Sequence, residues 1–546
     1  MKTNKTVRFY IVIIFLLCSN YSHSQMNGTY TIGLASPNYQ TIQAAVDSLI
    51  TNGINGDVTF NIQPGTYNEQ LTIPNISGSS NVNSILFQSS TGDSSDVVVE
   101  YNPSSDSDNF TIKFDGASYI TVKKITITSL GTNFSRCIEI SNGSSNISFL
   151  NNELIGQVVT SPNWPSWSNQ VIVYSPGNQG NNIVFDKNLF YYGFGGIYFN
   201  NDLGSYLKSG TLITNNYFND QYSYPINLKE QTSPYIYNNI INSITISYDF
   251  TGILLYHCYN FSIMKNKIAA PNSYGGSGIS MVASVGTAVS PSLIANNFIH
   301  INVITGYNSA EGIADWFGDY NNVYYNSIHL TGNETNSNVI QCYNNSLIKN
   351  NILTNHAFGT VYSSLMANTE TDFNAVFTNG TNIGMYNGPH PTLADWQTAT
   401  GNDYNSIFVE PSFVTNSDLH TNTIALNGSA LPISSIYLDI DNDIRNMTHP
   451  DIGADEFNLS DIQIINIGKC FALYPNPNDG EFILEFENPY NHLYEIEIKE
   501  ITGKIIYNTY LTGSKKNIIL NEYSKGIYFI TLTGTDNSMI QKLILK

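Results

Sequence analysis

The sequence predicts an all-β chain: a right-handed parallel β-helix of roughly ten coils with an N-terminal helical cap, followed by a small antiparallel β-sandwich. The first observation is a repeated phrase in which apolar residues flank an Asn, at intervals of 36, 28, 23, 27, 31, 29 and 25 residues. The second is the shortness of the apolar runs between turn residues, which suits strands. The third is a change of composition near residue 471. The Asn of each phrase is Asn152, Asn188, Asn216, Asn239, Asn266, Asn297, Asn326 and Asn351.

A period in this range marks a solenoid, in which each repeat is one coil stacked on the next. The Asn has two expected roles. It tolerates the left-handed backbone conformation of a tight bend better than most residues do. Its amide can also hydrogen-bond to the equivalent amide one coil away, about 4.8 Å along the axis, so that the Asn residues form a ladder.

The first 24 residues have the pattern of an export signal. Lys2, Lys5 and Arg8 precede an apolar core over 9–17, which is too short to span a bilayer, and small residues follow before Gln25. Cys18 raises a lipoprotein signal as an alternative, although the bulky Leu17 before it disfavours that interpretation. We expect the mature chain to begin near residue 25 and to hold no transmembrane segment.

The entry to the β-helix is predicted at residues 41–73. Residues 41–49 form an amphipathic helix with apolar residues on one face, which suits a cap. Gly65, Tyr67 and Glu69 then match a Gly-x-Tyr-x-Glu motif. With this motif the chain resembles the first coils of pectinesterases, within the broad parallel β-helix superfamily that also holds pectate lyases. The later esterase motifs of that family are missing from this sequence, so the resemblance implies the fold and no esterase activity.

The β-helix and its caps are predicted over residues 25–460. From residue 372 the repeat loosens, and the stretch up to residue 457 resembles the closing segment of many secreted β-helix proteins. We interpret this stretch as a C-terminal cap, and residues 461–470 as a linker.

Residues 471–546 form the predicted sandwich, because Glu and Lys alternate with apolar residues there. Leu473-Tyr474-Pro475-Asn476-Pro477, Ile501-Thr502-Gly503-Lys504 and Gln541-Lys542-Leu543-Ile544-Leu545 resemble the type A sorting domain of the type IX secretion system. This resemblance implies a partner, the type IX translocon, and export to the outer-membrane surface or the medium of a Gram-negative bacterium.

Composition limits the partners. The formal net charge is −20, and only 12% of the residues are charged. A chain this acidic argues against nucleic acid and anionic membranes, which need clustered Lys and Arg. Outside the signal, the four cysteines are far apart and contain no CxxC pair, so the sequence predicts neither a disulfide framework nor a zinc-binding cysteine cluster.

The candidate carbohydrate-binding residues are aromatic. The longest interval of the repeat holds Trp164 and Trp167, a Tyr pair follows at Tyr191 and Tyr192, and Trp316 lies in a later coil. Aromatic faces stack on sugar rings, so these residues predict a binding ledge. The alternative is that the loop with the two Trp residues folds its own aromatic cluster onto the coil.

Two groups of acids are further candidates. Glu311, Asp315 and Asp319 could supply the paired carboxylates of glycoside hydrolysis. Asp439, Asp441 and Asp443 alternate as in a calcium loop but lack its Gly and distal Glu, and a turn closed by Arg445 is the simpler interpretation. No cofactor is predicted, with calcium as the exception left open.

These observations favour a monomeric secreted or surface protein that binds a glycan, as an adhesin or binding module. A polysaccharide-active enzyme (lyase, glycoside hydrolase or esterase) on the same fold is the alternative, and a structural surface spacer is a second one.

Overall fold

A computed structural model describes residues 24–161, 167–177, 180–201, 207–304, 309–365, 368–457, 471–486, 493–500, 504–534 and 538–546. The chain divides into two compact units at residues 459–460. Within the described residues, no helix is long and apolar enough to cross a membrane.

The first unit is a parallel β-helix with three sheets of thirteen strands each. Each coil contributes one strand to sheet 1, then one to sheet 2, then one to sheet 3. The chain has more coils than the roughly ten predicted, because the coils before Asn152 lack the Asn phrase that reveals the repeat.

Sheet 1 consists of Met26–Ile32, Ile54–Ile62, Ile85–Ser89, Ser118–Lys123, Ser145–Leu150, Ile183–Asp186, Leu212–Thr214, Tyr235–Tyr237, Ser262–Met264, Ser292–Ala295, Asn321–Tyr324, Leu347–Lys349 and Glu370–Asp372. Sheet 2 consists of Gly65–Asn68, Val97–Tyr101, Thr126–Ser129, Glu153–Ile155, Leu189–Tyr191, Tyr217–Asn219, Ile240–Asn242, Lys267–Ser273, Phe298–Val303, Ser327–Gly332, Ile352–Asn355, Ala375–Thr378 and Ile407–Phe408. Sheet 3 consists of Leu71–Pro74, Ile112–Asp115, Ile138–Ser141, Val171–Ser175, Gly195–Phe199, Tyr224–Lys229, Phe250–Tyr256, Gly276–Val282, Ala310–Trp316, Asn338–Cys342, Thr360–Leu365, Gly384–Met385 and Pro389–His390. A two-stranded pair, Lys208–Ser209 with Gln231–Thr232, and short 3-10 turns at Asp106–Asp108, Trp167–Gln170 and Ile424–Leu426 lie outside these sheets.

The core lies inside the coils, where stacked Ile, Val, Leu and Phe side chains form one continuous cluster. Cys137, Cys258 and Cys342 are buried free thiols. An apolar interior shared by consecutive coils explains why no coil is stable alone.

Buried Asn residues form the predicted ladder at the turn between sheets 1 and 2. Asn239 shows the pattern: its Oδ1 accepts from the backbone N and Nδ2 of Asn216, at 2.9 and 3.0 Å. Its Nδ2 donates to the carbonyl of Ile213 and to Oδ1 of Asn266, at 2.8 and 2.9 Å. The Asn ladder consists of Asn152, Asn188, Asn216, Asn239, Asn266, Asn297, Asn326, Asn351 and Asn374.

The left-handed conformation belongs to a different residue from the one predicted. The residue before each ladder Asn has the positive φ, for example Asn238 at 54° and Tyr325 at 51°. This position faces outward and accepts Lys and Phe as well as Asn, whereas the ladder position requires an amide that both donates and accepts.

The N-terminal end is capped by the helix Ile42–Asn52, whose buried residues include the predicted Ala45, Val46 and Leu49. Glu69 explains the Gly-x-Tyr-x-Glu motif, because its carboxylate accepts from the backbone N of Ile42 and Gln43 at 3.1 and 2.7 Å. A carboxylate at a helix N-terminus satisfies free N–H groups there. The motif therefore joins the first coil to the cap.

At the other end, the helix Leu393–Thr400 covers the last coils. Trp396 is fully buried, its ring stacks on Tyr362 with centroids 4.8 Å apart, and its Nε1 donates to Asp403 at 2.9 Å. The predicted C-terminal cap thus includes a true end cap.

The remainder of that region, residues 409–457, runs back along the side of the coils, and we call it the fold-back segment. The carbonyl of Leu431 accepts from Tyr325 Oη and Asn350 Nδ2 at 2.7 and 2.8 Å, and that of Leu438 accepts from Asn296 Nδ2 at 2.7 Å. Its apolar residues pack on the outer face of sheet 2, in clusters that include Phe298. The outward residues of the ladder turns therefore hold this segment.

The second unit contains two antiparallel sheets. One consists of Ala472–Tyr474, Glu481–Glu485 and Lys515–Ile519, and the other of Tyr494–Glu500, Ile505–Leu511, Gly526–Thr533 and Ser538–Leu545. Asn476 joins the Tyr-Pro-Asn-Pro motif to the last strand, because its amide donates to the Lys542 carbonyl and accepts from the Ile544 N–H, at 2.7 and 2.9 Å. The antiparallel arrangement agrees with the predicted sandwich.

We expect Asn239→Ala to lower the free energy of unfolding by on the order of 3 kcal/mol, because it leaves buried donors of Asn216 without an acceptor. Thermal unfolding followed by circular dichroism measures the shift. The control is Asn238→Gly, since Asn238 is exposed and glycine adopts its positive φ freely. Equal losses in both variants would contradict a dominant role for the ladder.

Candidate functional sites

The outer face of sheet 3 carries aromatic and cationic side chains in neighbouring coils. The strand register aligns Tyr174 with Tyr198, and Lys229 with Tyr256. Two coils beyond Tyr256, Val282 aligns with Trp316. The alternate residues of the same strands, such as Leu228 and Leu255, lie in the core. We call this group the aromatic strip: Arg136, Tyr174, Tyr198, Lys229, Tyr256 and Trp316.

Cations and rings interleave within the strip. The Arg136 guanidinium lies 3.8 Å from the ring centroid of Tyr174, and the rings of Tyr174 and Tyr198 are 5.8 Å apart. Lys229 Nζ lies 5.5 Å from the Tyr198 ring and 5.8 Å from the Tyr256 ring. These are cation–π distances, so the cations hold the rings in place.

The charges of the strip are balanced locally. Arg136 is buried and forms ion pairs with Asp106 and Glu139, at 3.3 and 3.7 Å. Lys229 instead donates to Asn200 Oδ1 at 2.8 Å, and burial lowers its pKa. Trp316 is 39% exposed, which leaves part of its ring free for contact.

The predicted aromatic ledge is not one surface. Trp167 packs against Phe194, Tyr198 and Tyr224 with centroids 4.9 to 5.6 Å apart. Trp167 therefore belongs to an aromatic cluster beside sheet 3 and is not part of an open ledge. Tyr191 belongs to sheet 2, and Tyr192 follows it in the next turn. Trp164 lies outside the described residues. Trp167 lies in a 3-10 turn just before a strand of sheet 3, and Trp316 ends the strand of that sheet five coils further along.

The three acids predicted as catalytic candidates do not line one cleft. Glu311 aligns with Ser277, whose Oγ donates to Glu311 Oε2 at 3.0 Å. Both side chains are buried outside the apolar core, and burial raises the pKa of Glu311. Asp315 aligns instead with the core residue Met281 and is fully buried, which raises its pKa to about 7. Asp319 lies beyond the strand and accepts from Asn345 at 2.8 Å. Strict alternation along a strand would put Glu311 and Asp315, four residues apart, on the same face. Gly312 and Ile313 both face the interior, which breaks the alternation, and sequence spacing alone does not reveal this break.

The three Asp residues considered for calcium also diverge. Asp439 is buried, and its Oδ1 accepts from the backbone N of Asp441 and Asp443 at 2.9 and 2.8 Å, so it shapes a turn. Asp441 contacts Lys267 Nζ at 3.2 Å, and Asp443 is exposed. The backbone N of Arg445 donates across this turn to the Tyr437 carbonyl at 2.9 Å, while its side chain donates to Asn296 Oδ1 at 2.8 Å. Asp441 instead converges with His420 and Asp455, whose ligand atoms all lie within 4.8 Å of one another.

Sheet 2 carries a column of histidines that was not predicted from the sequence. His300 and His329 occupy the same register on neighbouring strands. His329 Nε2 lies 2.8 Å from Nδ1 of His356, whose Nε2 lies 3.0 Å from Glu410 Oε1. The detectable signal was spacing, because these histidines recur after 29 and 27 residues, within the range of the Asn intervals.

Comparison with known proteins agrees with the two units. Residues 166–297 match the family described as right handed beta helix region. Residues 472–546 match the secretion system C-terminal sorting domain. No curated protein matches the chain.

Several solved structures match the chain at low similarity. The deglycosylated pectin methylesterase from Aspergillus niger is 10% identical, with 73% of this chain and 96% of that one covered and a TM-score of 0.24. Pectin methylesterase PemA from Erwinia chrysanthemi is 12% identical, with 54% and 81% covered and a TM-score of 0.28. Tailspike protein 2 of bacteriophage CBA120 is 11% identical, with 95% and 76% covered and a TM-score of 0.17. Similarity at this level says nothing about activity.

The family matches confirm the predicted architecture and export route. The chain is a right-handed parallel β-helix protein with a type IX secretion sorting domain. It is exported by that system to the cell surface or the extracellular space.

We expect deletion of residues 471–546 to strand the protein in the periplasm, because the translocon would lose its recognition domain. Cell fractionation with periplasmic and surface markers, compared with the full chain at equal expression, measures the outcome. Normal surface display of the truncated protein would refute the role of this domain in export.

A second prediction concerns pH. Burial lowers the pKa of His300 to about 4 and of His329 to about 3, whereas an unfolded histidine titrates near 6.5. Below about pH 6.5 the unfolded chain binds more protons, so each histidine removes up to about 1.4 kcal/mol of stability per pH unit down to its folded pKa. Denaturant unfolding between pH 7.5 and 4.5 tests this, with His329→Gln expected to flatten the slope. His449→Gln, at an exposed histidine, is the control and should leave the slope unchanged.

Proposed function

We propose that this exported β-helix binds a glycan along the aromatic strip of sheet 3. The observation that carries the proposal is the single register of Lys229, Tyr256 and the exposed ring of Trp316 on the outer face of sheet 3. Arg136 and Tyr198 are buried beside this column, and the Tyr198 ring supports Lys229. Aromatic faces pack on the apolar faces of sugar rings, and adjacent polar groups bind sugar hydroxyls.

The geometry of the coils supports an extended ligand. Side chains in the same register repeat about every 4.8 Å along the axis. A chain molecule lying parallel to the axis would therefore meet Lys229, Tyr256 and, two coils beyond, Trp316, which share one register. Because these residues stand on strands, their positions are fixed before binding, which lowers the entropic cost of association.

Charge favours a neutral glycan. Arg136 is already paired with Asp106 and Glu139, so it offers little net attraction to an anionic sugar. The formal net charge of the whole chain is −20, and this charge repels polyanions unless bound cations lie between the two. Lys229, bound to an amide of Asn200, remains as a hydrogen-bond donor.

The acid pair predicted from the sequence, Glu311 and Asp315, does not support hydrolysis. Glycosidases place two carboxylates on either side of one bond. Glu311 and Asp315 are both buried, and Asp315 aligns with the core residue Met281, so this pair cannot flank a bound sugar. The polysaccharide-active alternative and the spacer alternative become outcomes of the binding test.

We expect Trp316→Ala and Tyr256→Ala each to weaken retention on a neutral polysaccharide by about tenfold, the loss of roughly 1.4 kcal/mol of ring stacking. The measurement is depletion of the full chain by insoluble polysaccharides, neutral and uronic, with released sugar assayed in parallel. Tyr404→Ala is the control, since Tyr404 is 69% exposed and lies beyond the strands of sheet 3.

Three results would contradict the proposal. Retention by no polysaccharide would favour the spacer. Release of sugar fragments by the wild-type chain would favour an enzyme. Unchanged retention of Trp316→Ala and Tyr256→Ala would place binding on another surface.

A further inference from the structure

His420, Asp441 and Asp455 bring three metal-binding groups together within the fold-back segment. Their ligand atoms all lie within 4.8 Å of one another. The three residues come from separate parts of the segment, which otherwise has little regular structure between residues 409 and 457. A single ion bound to all three would join these parts.

The imidazole of His420 is oriented for this role. Its Nδ1 contacts the carboxylate of Asp418, and its Nε2 lies 2.5 Å from Asp441 Oδ2. In the metal-free protein each ring nitrogen donates to a carboxylate. A metal would displace the Nε2 proton, while Asp418 keeps the Nδ1 proton in place and so fixes the tautomer of the ligand. The edge of the ring also packs on Phe298, with centroids 4.9 Å apart, so the histidine is held against sheet 2.

The surroundings are negatively charged. Acids outnumber bases around the imidazole, even though Lys267 Nζ lies 3.2 Å from Asp441 Oδ1. Arg445 forms an ion pair with Glu456 at 3.4 Å and donates to Asn296. Its guanidinium is therefore bound to residues outside the group of His420, Asp441 and Asp455. The acids that act electrostatically on this region are Asp418, Asp439, Asp441 and Asp455.

We propose that His420, Asp441 and Asp455 bind one divalent transition-metal ion, best fitted by zinc, and that Asp418 is a positioning residue for the imidazole. One imidazole and two carboxylates form a ligand set for Zn²⁺. Calcium prefers an all-oxygen shell of six to eight ligands, which this set does not provide. The site differs from the calcium loop considered from the sequence, since it takes Asp441 but neither Asp439 nor Asp443.

The ion has a structural role. It crosslinks the stretches around residues 420, 441 and 455, and these stretches hold Leu419, Ile440 and Ala454, which pack with Phe298 on sheet 2. Because the ligands come together only when the segment is folded, binding stabilises the folded segment by mass action.

The test uses the full chain, stripped with a chelator and titrated with Zn²⁺ alone by calorimetry. We expect one ion per chain and a rise of the unfolding temperature with zinc. His420→Ala and Asp455→Asn should each weaken binding at least tenfold, and Asp418→Asn by about 10- to 100-fold, the range for groups that orient a ligand. Asp443→Asn and His449→Ala are matched controls of equal chemistry on exposed neighbours and should bind as the wild type does.

Several outcomes would overturn the site. They are no saturable Zn²⁺ binding by the wild type, an equal loss in Asp443→Asn, and tight Ca²⁺ binding without Zn²⁺ binding. If His420→Ala fails to fold, Asp455→Asn decides, because asparagine keeps the shape of the side chain. X-ray absorption of the zinc-loaded wild type should show one imidazole ligand, and an all-oxygen shell would also refute the site.

Discussion

The structure of the β-helix depends on the Asn ladder. A tight turn between two buried strands leaves backbone N–H and C=O groups that water cannot reach. Each ladder Asn satisfies them from both sides, since its Oδ1 accepts from the next Asn in one direction while its Nδ2 donates in the other, as at Asn188 and Asn216. The turn can therefore stay short and identical from coil to coil. Identical turns keep the strands in register, and the register sets which side chains meet on each outer face.

The ladder turns also decide which face of the rod is covered. The residue before each ladder Asn has a positive φ and directs its side chain outward. Asn296, Tyr325 and Asn350 use this position to hold the fold-back segment. That segment covers the outer face of sheet 2 with apolar contacts. The aromatic strip lies on sheet 3, away from these contacts, which explains why Trp316 keeps an exposed ring.

Covering sheet 2 has an electrostatic consequence. His300 and His329 become buried polar groups under the segment, and they are stable there as neutral rings. His420, in contrast, stands between carboxylates, and these raise its pKa to about 10 despite its burial. Two kinds of histidine therefore lie within one interface, and each is explained by what faces it: apolar and histidine rings in the column, acids at the fold-back turns.

Local patterns in the sequence determined much of this protein. Repeated Asn residues with apolar flanks predicted the coils and the ladder, because each coil meets the same steric and hydrogen-bonding demands. The Glu69 motif and the Tyr-Pro-Asn-Pro motif predicted the cap region and the sorting domain for the same local reason. Only the tertiary structure decided the sites. Whether Asp315 points inward, whether Trp167 packs on the coils that follow it, and whether Asp441 meets His420 depend on a local break in strand alternation and on contacts between residues far apart in the chain. Short-range sequence patterns do not predict such contacts, because the contacts arise from packing after the coils have formed.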